Sequence, residues 1–94
     1  PPLPAAVTAV NYKRLSKNRV TVYWTPAATE YASSGYYYRV AKNGGKYGKW
    51  TKSSGMKTAV TLSKWKKNQT YKIQVKTRNV SGYSPTVTSS YTAR

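Results

Sequence analysis

The chain has no cysteine, histidine, phenylalanine or aspartate, and its single acid, Glu30, stands against 17 lysines and arginines. Each absence removes a class of chemistry. Without cysteine there is neither a disulfide framework nor a thiolate metal site. Without histidine and with one carboxylate, neither a nucleophile–base–orienter triad nor the carboxylate pair of glycoside hydrolysis can be assembled. Zinc and calcium sites need several His, Cys or carboxylate ligands. The expectation is therefore no enzyme, no metal and no cofactor. A lone activated lysine is the one catalytic route left, and a solvated lysine surface is the commoner explanation of so many lysines. No apolar run approaches the roughly 18 residues of a membrane span, so no membrane insertion is expected. No signal-peptide pattern is present either.

What remains is a small domain poor in aliphatics. Its 94 residues suit one domain, with only three Leu, one Ile and nine Val, and a formal charge of +16. That combination ordinarily warns of disorder. Here ten tyrosines and three tryptophans supply the missing bulk, since each aromatic can bury about 150–250 Å². The ordering is also regular. Tyr71, Ile73, Val75 and Thr77 alternate with Lys72, Gln74, Lys76 and Arg78, the period of two that puts one set on a core face and the other outside.

That segment is preceded by Trp65, six residues before Tyr71, and followed by Asn79-Val80-Ser81-Gly82-Tyr83-Ser84. The layout resembles the E–F corner, F strand and F–G loop of a fibronectin type III domain, and the resemblance extends over most of the chain. Pro1-Pro2-Leu3-Pro4 is similar to the proline-rich lead into the first strand. Val20-Thr21-Val22-Tyr23-Trp24 is similar to the second, ending in the family's core tryptophan. Gly35-Tyr36-Tyr37-Tyr38-Arg39-Val40 is similar to the third, with Tyr38 and Val40 inward, and Val60 and Leu62 fall in strand E. Trp65 stands where the family usually has leucine, Lys66-Lys67-Asn68 replaces its Pro-Gly turn, and no Arg-Gly-Asp is present.

The resemblance implies an all-β fold, a seven-stranded immunoglobulin-like antiparallel sandwich. Residues 1–5 form a linker or strand-A lead-in and 6–94 the domain. It implies a core of Trp24, Tyr38, Val40, Leu62, Trp65, Tyr71, Ile73 and Val75, with the Tyr71 hydroxyl bonded back to the chain upstream. Expected strands are A near Ala6–Asn11, B near Arg19–Thr25, C at Tyr36–Lys42, C′ at Lys49–Thr51, E at Ala59–Ser63, F at Tyr71–Arg78 and G from about Thr86 to Thr92. Pro26 closes B and Pro85 sits at the start of G, both places where a missing N–H is tolerated.

In such a sandwich Arg39, Lys72, Lys76 and Arg78 share the outward face of strands C and F. Lys49 and Lys52 extend it at the C′ edge, and Tyr37, with Trp50 if it is exposed, interleaves aromatic rings. Trp50 is expected to pack on the sheet edge. Clustered cations gain counterion-release entropy on a polyanion, and rings can stack on sugars or bases. The competing reading is that the lysines keep a tyrosine-rich domain soluble and its edges unpaired. Asn43-Gly44-Gly45-Lys46-Tyr47-Gly48-Lys49 lacks the ending of a phosphate loop and reads as a hairpin turn, with an anion-touching basic tip as the lesser alternative. Lys64, Lys66 and Lys67 at the E–F corner, and Lys13, Arg14, Lys17 and Arg19 in the A–B turn, offer a second basic pole. Of two glycosylation sequons, Asn68-Gln69-Thr70 and Asn79-Val80-Ser81, Asn79 also fits the F–G loop for structural reasons.

Three function classes stay open: a polyanion-binding module, a protein-recognition module using the sheet face or Tyr31 and Tyr83 in the B–C and F–G loops, and a spacer without a ligand. The resemblance implies an extracellular or cell-surface location, with neighbouring domains in the same chain. Expected partners are an anionic polysaccharide or wall polymer, or an acidic protein surface, with nucleic acid bound only non-specifically. The lysine-rich, cysteine-free composition is more similar to bacterial secreted and surface proteins than to animal matrix proteins.

Overall fold

A computed structural model describes residues 2–27, 34–53 and 55–93. Strands β1 (Ala9–Arg14), β2 (Val20–Thr25) and β5 (Ala59–Leu62) form one antiparallel sheet in the order β1-β2-β5. The second sheet runs β4 (Thr51–Lys52), β3 (Gly35–Lys42), β6 (Thr70–Asn79), and β6 then pairs with both β7 (Gly82–Tyr83) and β8 (Val87–Thr92). The two sheets enclose a core in which Val22, Trp24, Tyr36, Ile73 and Val75 are buried together with Val7, and Tyr38, Val40 and Leu62 pack half-buried against it. A second cluster closes the far pole around Val20, Trp65, Tyr71 and Ala93.

Several boundaries differ from those expected. Strand A pairs over Ala9–Arg14, three residues later than predicted, because its register is set by β2 from Ala9↔Thr25 through Arg14↔Val20. Lys13 and Arg14 thus belong to the strand, and the Arg14 side chain donates to the carbonyls of Ser16 and Lys17, holding the A–B turn. Strand C′ is Thr51–Lys52, so Trp50 lies just before it. Strand G is interrupted at residues 84–86. Pro85 has no N–H for the ladder, and Ser84 compensates: its N–H donates to the Thr77 carbonyl at 2.8 Å, and its hydroxyl accepts the Thr77 N–H at 2.9 Å.

At the E–F corner Trp65 stacks on Tyr71 with ring centroids 4.1 Å apart and meets Tyr91 edge-on. The Tyr71 hydroxyl accepts the N–H of Lys66 at 3.1 Å, pinning the turn from inside. Asn68 at φ 63° and Lys64 at φ 60° occupy the left-handed region. Asparagine tolerates it; lysine does so at a cost of about 1–2 kcal/mol. Asn79 is buried, donating to the Pro2 carbonyl at 2.7 Å and accepting the Ser81 N–H at 2.8 Å. Its amide is thus a clamp between the lead-in segment and the F–G loop.

Tyr12 links the two sheets. Its hydroxyl donates to Ser89 at 2.8 Å and its ring stacks on Tyr91. Burial pushes its phenol above the ordinary value of 10.0, outweighing the Ser89 bond. A raised folded-state pKa means the unfolded chain releases its proton first as the pH rises. The contribution is therefore complete below pH ~10 and lost above it. Tyr12→Phe should cost about 1 kcal/mol at pH 7 through the lost hydrogen bond. Its deficit against the parent should shrink in urea titrations taken from pH 9 to 11, the lysine titrations being common to both proteins. A deficit constant over that range would show that Tyr12 titrates alike in both states.

Candidate functional site

The outward face of the second sheet carries the residues expected to form the basic patch. Cross-strand pairing sets Tyr37 opposite Lys76, Arg39 opposite Gln74, and Gly35 opposite Arg78. On the far side of β6, Tyr83 lies opposite Arg78 and Thr88 opposite Gln74. Directly opposed residues lie about 4.5–5.5 Å apart on one face, so these side chains must share a surface.

They share it as alternating rings and cations. The Arg39 guanidinium lies 4.7 Å from the Tyr47 ring centroid and 4.5 Å from that of Trp50. The Lys76 ammonium sits 4.0 Å from Trp50 and 3.8 Å from Tyr83, and Arg78 follows at 5.4 Å from Tyr83. Tyr37 braces the end of the row, edge-on to Tyr83 at 5.6 Å. All these distances fall inside the roughly 6 Å range of cation–π attraction. Arg39 also donates through Nε to Gln74 at 2.6 Å, and Gln74 donates on to Thr88. A hydrogen bond with Tyr37, with the Tyr83 ring close by, raises the Arg78 guanidinium above its ordinary value.

The ladder shows how three cations share one face with no carboxylate side chain among the described residues. Each ring presents a negative π-face to the cations on either side, replacing ion pairs that a chain with one carboxylate cannot make. Glu30 itself lies outside the described residues, as does Tyr31. Among the described residues there is no group of three or more His, Cys, Asp or Glu side chains able to hold a metal.

The other expected site residues rim the ladder. Lys52 lies opposite Tyr37 on β4. Its aliphatic stem covers Gly35, where φ is 148° and an added Cβ would fall 2.8 Å from Lys52 Cε. Lys49 is exposed beside Trp50. Lys72 is exposed at the other end of β6, opposite Ala41 and Ser90. Four residues, about 13 Å of strand, separate it from Lys76, so it is a flank and not a rung. Trp50 is half-buried against the sheet with two cations over its ring, which places it among the charges but not as an open platform for sugar stacking. Sequence reasoning did not anticipate the ladder roles of Tyr47 and Tyr83. Tyr47 stands between Lys46 and Gly48-Lys49 in a polar stretch, a weak signal at best, and Tyr83 was legible as an F–G loop contact but not as a ring between two cations.

No protein-family model matches the sequence, and a search of curated proteins finds no match. Solved structures do match. The chain superposes on a two-domain fibronectin type III segment of chicken tenascin with a TM-score of 0.81 at 17% identity, covering 97% of this chain and 51% of that one. For the fn3 domain of human collagen alpha-1(XX) chain the values are 0.77, 18%, 97% and 86%. For the chicken CNTN1 FN1–FN3 segment they are 0.77 and 27%, covering 99% of this chain and 31% of that one. The chain has the fibronectin type III fold, an all-β sandwich found as a repeated module in larger proteins. That fold covers nearly all of the 94 residues.

Proposed function

We propose that this chain is a non-catalytic binding and spacer module of a larger extracellular or cell-surface protein, whose laddered face associates with anionic partners. The carrying observation is the row Tyr47–Arg39–Trp50–Lys76–Tyr83–Arg78, rimmed by Lys49, Lys52 and Lys72. It holds cations in fixed positions with no carboxylate side chain among the described residues to neutralise them. A polyanion laid on such a face gains Coulomb energy and releases its own counterions. An anionic polysaccharide, wall polymer or acidic protein surface suits it. Occupied rings argue against base stacking, so nucleic acid would bind through charge alone. Composition supports a bacterial parent.

The test is binding to heparin, wall teichoic acid and DNA across ~50–300 mM salt, with a Lys72→Glu/Lys76→Glu variant in parallel. The variant lowers the net charge by four, from +16 to +12. Expected are steep salt slopes for the parent and an affinity loss of about ten- to a hundredfold for the variant at the lowest salt. Lys72→Glu alone leaves the ladder intact and controls for folding. Parental binding that is absent at low salt, or unchanged in both variants, would overturn the assignment.

A further inference from the structure

An edge strand presents unpaired N–H and C=O groups, and this sandwich guards its edges unequally. β4 is two residues long, β1 carries Lys13 and Arg14, and β5 is four residues set between Lys57 and Lys64. Strand β8 has none of these devices. It runs six residues, Val87–Thr92, without proline or charge, inside the longest uncharged stretch of the chain, Val80 to Ala93. Its one strand partner among the described residues is β6, so its other side is the free edge of the five-stranded sheet. The lead-in segment stops short of it. Pro2 and Leu3 meet Asn79 and Gly82 at the β7 end, and the Thr8 N–H already donates to the Thr25 carbonyl of β2.

Hydrogen-bond parity tells which groups that edge offers. The Asn43 N–H donates to the Thr70 carbonyl at 2.9 Å, so even-numbered residues of β6 turn their backbone groups toward β3 and odd-numbered ones toward β8. The Ser84 N–H on the Thr77 carbonyl at 2.8 Å agrees. Val87, Ser89 and Tyr91 stand opposite Val75, Ile73 and Tyr71 and bond to them through the backbone. Thr88, Ser90 and Thr92 therefore direct their N–H and C=O groups away from the sheet. The side chains of these three lie on the laddered face, where Thr88 accepts from Gln74 and Thr92 shares a hydrogen bond with Thr70.

We propose that the β8 edge is a docking site for an extended acidic segment of another protein, which adds to the sheet as a strand antiparallel to β8. The site is separate from the row of rings and does not depend on it. Main-chain bonds to Thr88, Ser90 and Thr92 supply the attraction, and alternate side chains supply the selectivity. On one side of the added strand lie Val87, Ser89 and Tyr91, where the half-buried Tyr12 and Tyr91 rings stack between the two sheets with centroids 4.6 Å apart. Apolar side chains suit that side. On the other lie Thr88, Ser90 and Thr92, with exposed Lys72 opposite Ser90 one strand further in. An added residue facing Ser90 stands two strand spacings, about 9.6 Å, from Lys72. A glutamate and the lysine close that gap between them.

Charge selects the occupant. A second copy would bring another +16 to the edge, and its own β8 would set threonine and serine where acids are favoured. Self-pairing thus meets repulsion without compensation. An acidic segment meets the opposite field and is steered in by it. A polyanion without a peptide backbone cannot continue the ladder at all. The lack of lysine on β8 then has a use, because a lysine along the edge obstructs an incoming strand. A neutral edge on a basic protein attracts an acidic strand and leaves its backbone a clear approach.

The experiment follows backbone amide signals of the isotope-labelled 94-residue chain during titration with a capped peptide of alternating glutamate and valine, matched to the six residues of β8. The amides of Thr88, Ser90 and Thr92 should shift and exchange more slowly with solvent, those of Val87, Ser89 and Tyr91 much less. Directly opposed residues share a face, so glutamates set beside Thr88, Ser90 and Thr92 point their own N–H groups at β8. Methylating the glutamate amides should weaken binding at least about tenfold, whereas methylating the valine amides, which face solvent, should change it less than about threefold. Ser90→Pro removes an N–H that β6 does not use. Its unfolding midpoint should stay within a few degrees of the parent's, and its affinity for the peptide should fall at least about tenfold. No shifts on β8, equal binding of the two methylated peptides, or shifts centred on Tyr47, Trp50 and Lys76 would overturn the edge, the last leaving charge attraction to the laddered face. A dimer of the parent in sedimentation that Ser90→Pro abolishes would assign the edge to a second copy and overturn the acidic occupant.

Discussion

Trp65→Ala lowers the unfolding free energy by about 3–5 kcal/mol, the range for truncating a buried Trp. The indole is 1% exposed, stacked on Tyr71 and edge-on to Tyr91. It closes the pole cluster with Val20 and Ala93. Its removal opens a cavity the neighbours cannot fill, because Tyr71 is held by its bond to Lys66 and the Trp65 backbone N–H is bonded to the Asn18 carbonyl. A domain of 94 residues has roughly 5–14 kcal/mol in hand, at about 0.05–0.15 per residue. The loss is therefore a large part of the total and lowers the thermal midpoint by at least about 12 °C. Trp65→Phe, which keeps a ring against Tyr71 but gives up the 3.4 Å indole bond to the Gln69 carbonyl and part of the buried ring volume, should cost clearly less than the alanine variant. Urea unfolding of both variants checks the pair. A Trp65→Ala loss under about 1 kcal/mol would mean that the corner is loose and the indole no keystone.

The corner illustrates what was legible before any coordinates. Strand F declares itself because alternation is local: Tyr71, Ile73, Val75 and Thr77 need only the pleat to point inward, and all four are buried. Trp24 and Trp65 were legible through the resemblance to the fibronectin type III layout, and both are buried. Boundaries were harder. Where strand A begins depends on its register with β2, a pairing that the Ala- and Val-rich stretch at 5–10 does not encode. The interruption of strand G turns on Ser84 supplying what Pro85 cannot, a substitution visible only once Thr77 is seen across the sheet.

The candidate site divides along the same line. That Arg39, Lys76 and Arg78 share a face follows from strand parity. That they are separated by Trp50, Tyr47 and Tyr83 does not, because the first two of those rings lie in the irregular connection at 43–50, where no period applies. The approach of Lys42 to Lys64 was less legible still. They lie 22 positions apart (64 − 42), and the pairing of Lys42 with Tyr71 across the sheet, with the bonds from residue 43 to 70 and from residue 66 to Tyr71, brings their segments together. Asn79 shows the reverse: its motif position implied a structural role, and its burial against Pro2 and Ser81 provides one.

The ladder makes its own forecast. Trp50→Ala removes a half-buried ring shared by Arg39 and Lys76. It should cost about 2–3 kcal/mol, combining part of the burial lost in a Trp truncation with two cation–π contacts of about 0.5–1 kcal/mol each. The sign of its salt dependence identifies the cause. With the indole gone, Arg39 and Lys76 face each other across water, and ions screen that repulsion over a Debye length of about 10 Å at 0.1 M. Added sodium chloride should therefore stabilise Trp50→Ala more than the parent. A double-mutant cycle with Lys76→Gln should return a favourable coupling of about 0.5–1 kcal/mol. A coupling near zero would reduce the row of rings and charges to mere proximity. Binding separates the two roles an aromatic could play here. If Trp50 stacked on the partner, its loss would weaken heparin as well as the fold. If it spaces cations that themselves meet the anion, Trp50→Ala at a temperature where it stays folded should bind heparin at least as tightly as the parent, because Arg39 and Lys76 are freed from the ring. The geometry predicts the second outcome, since an indole already holding two cations has little π-face left to offer.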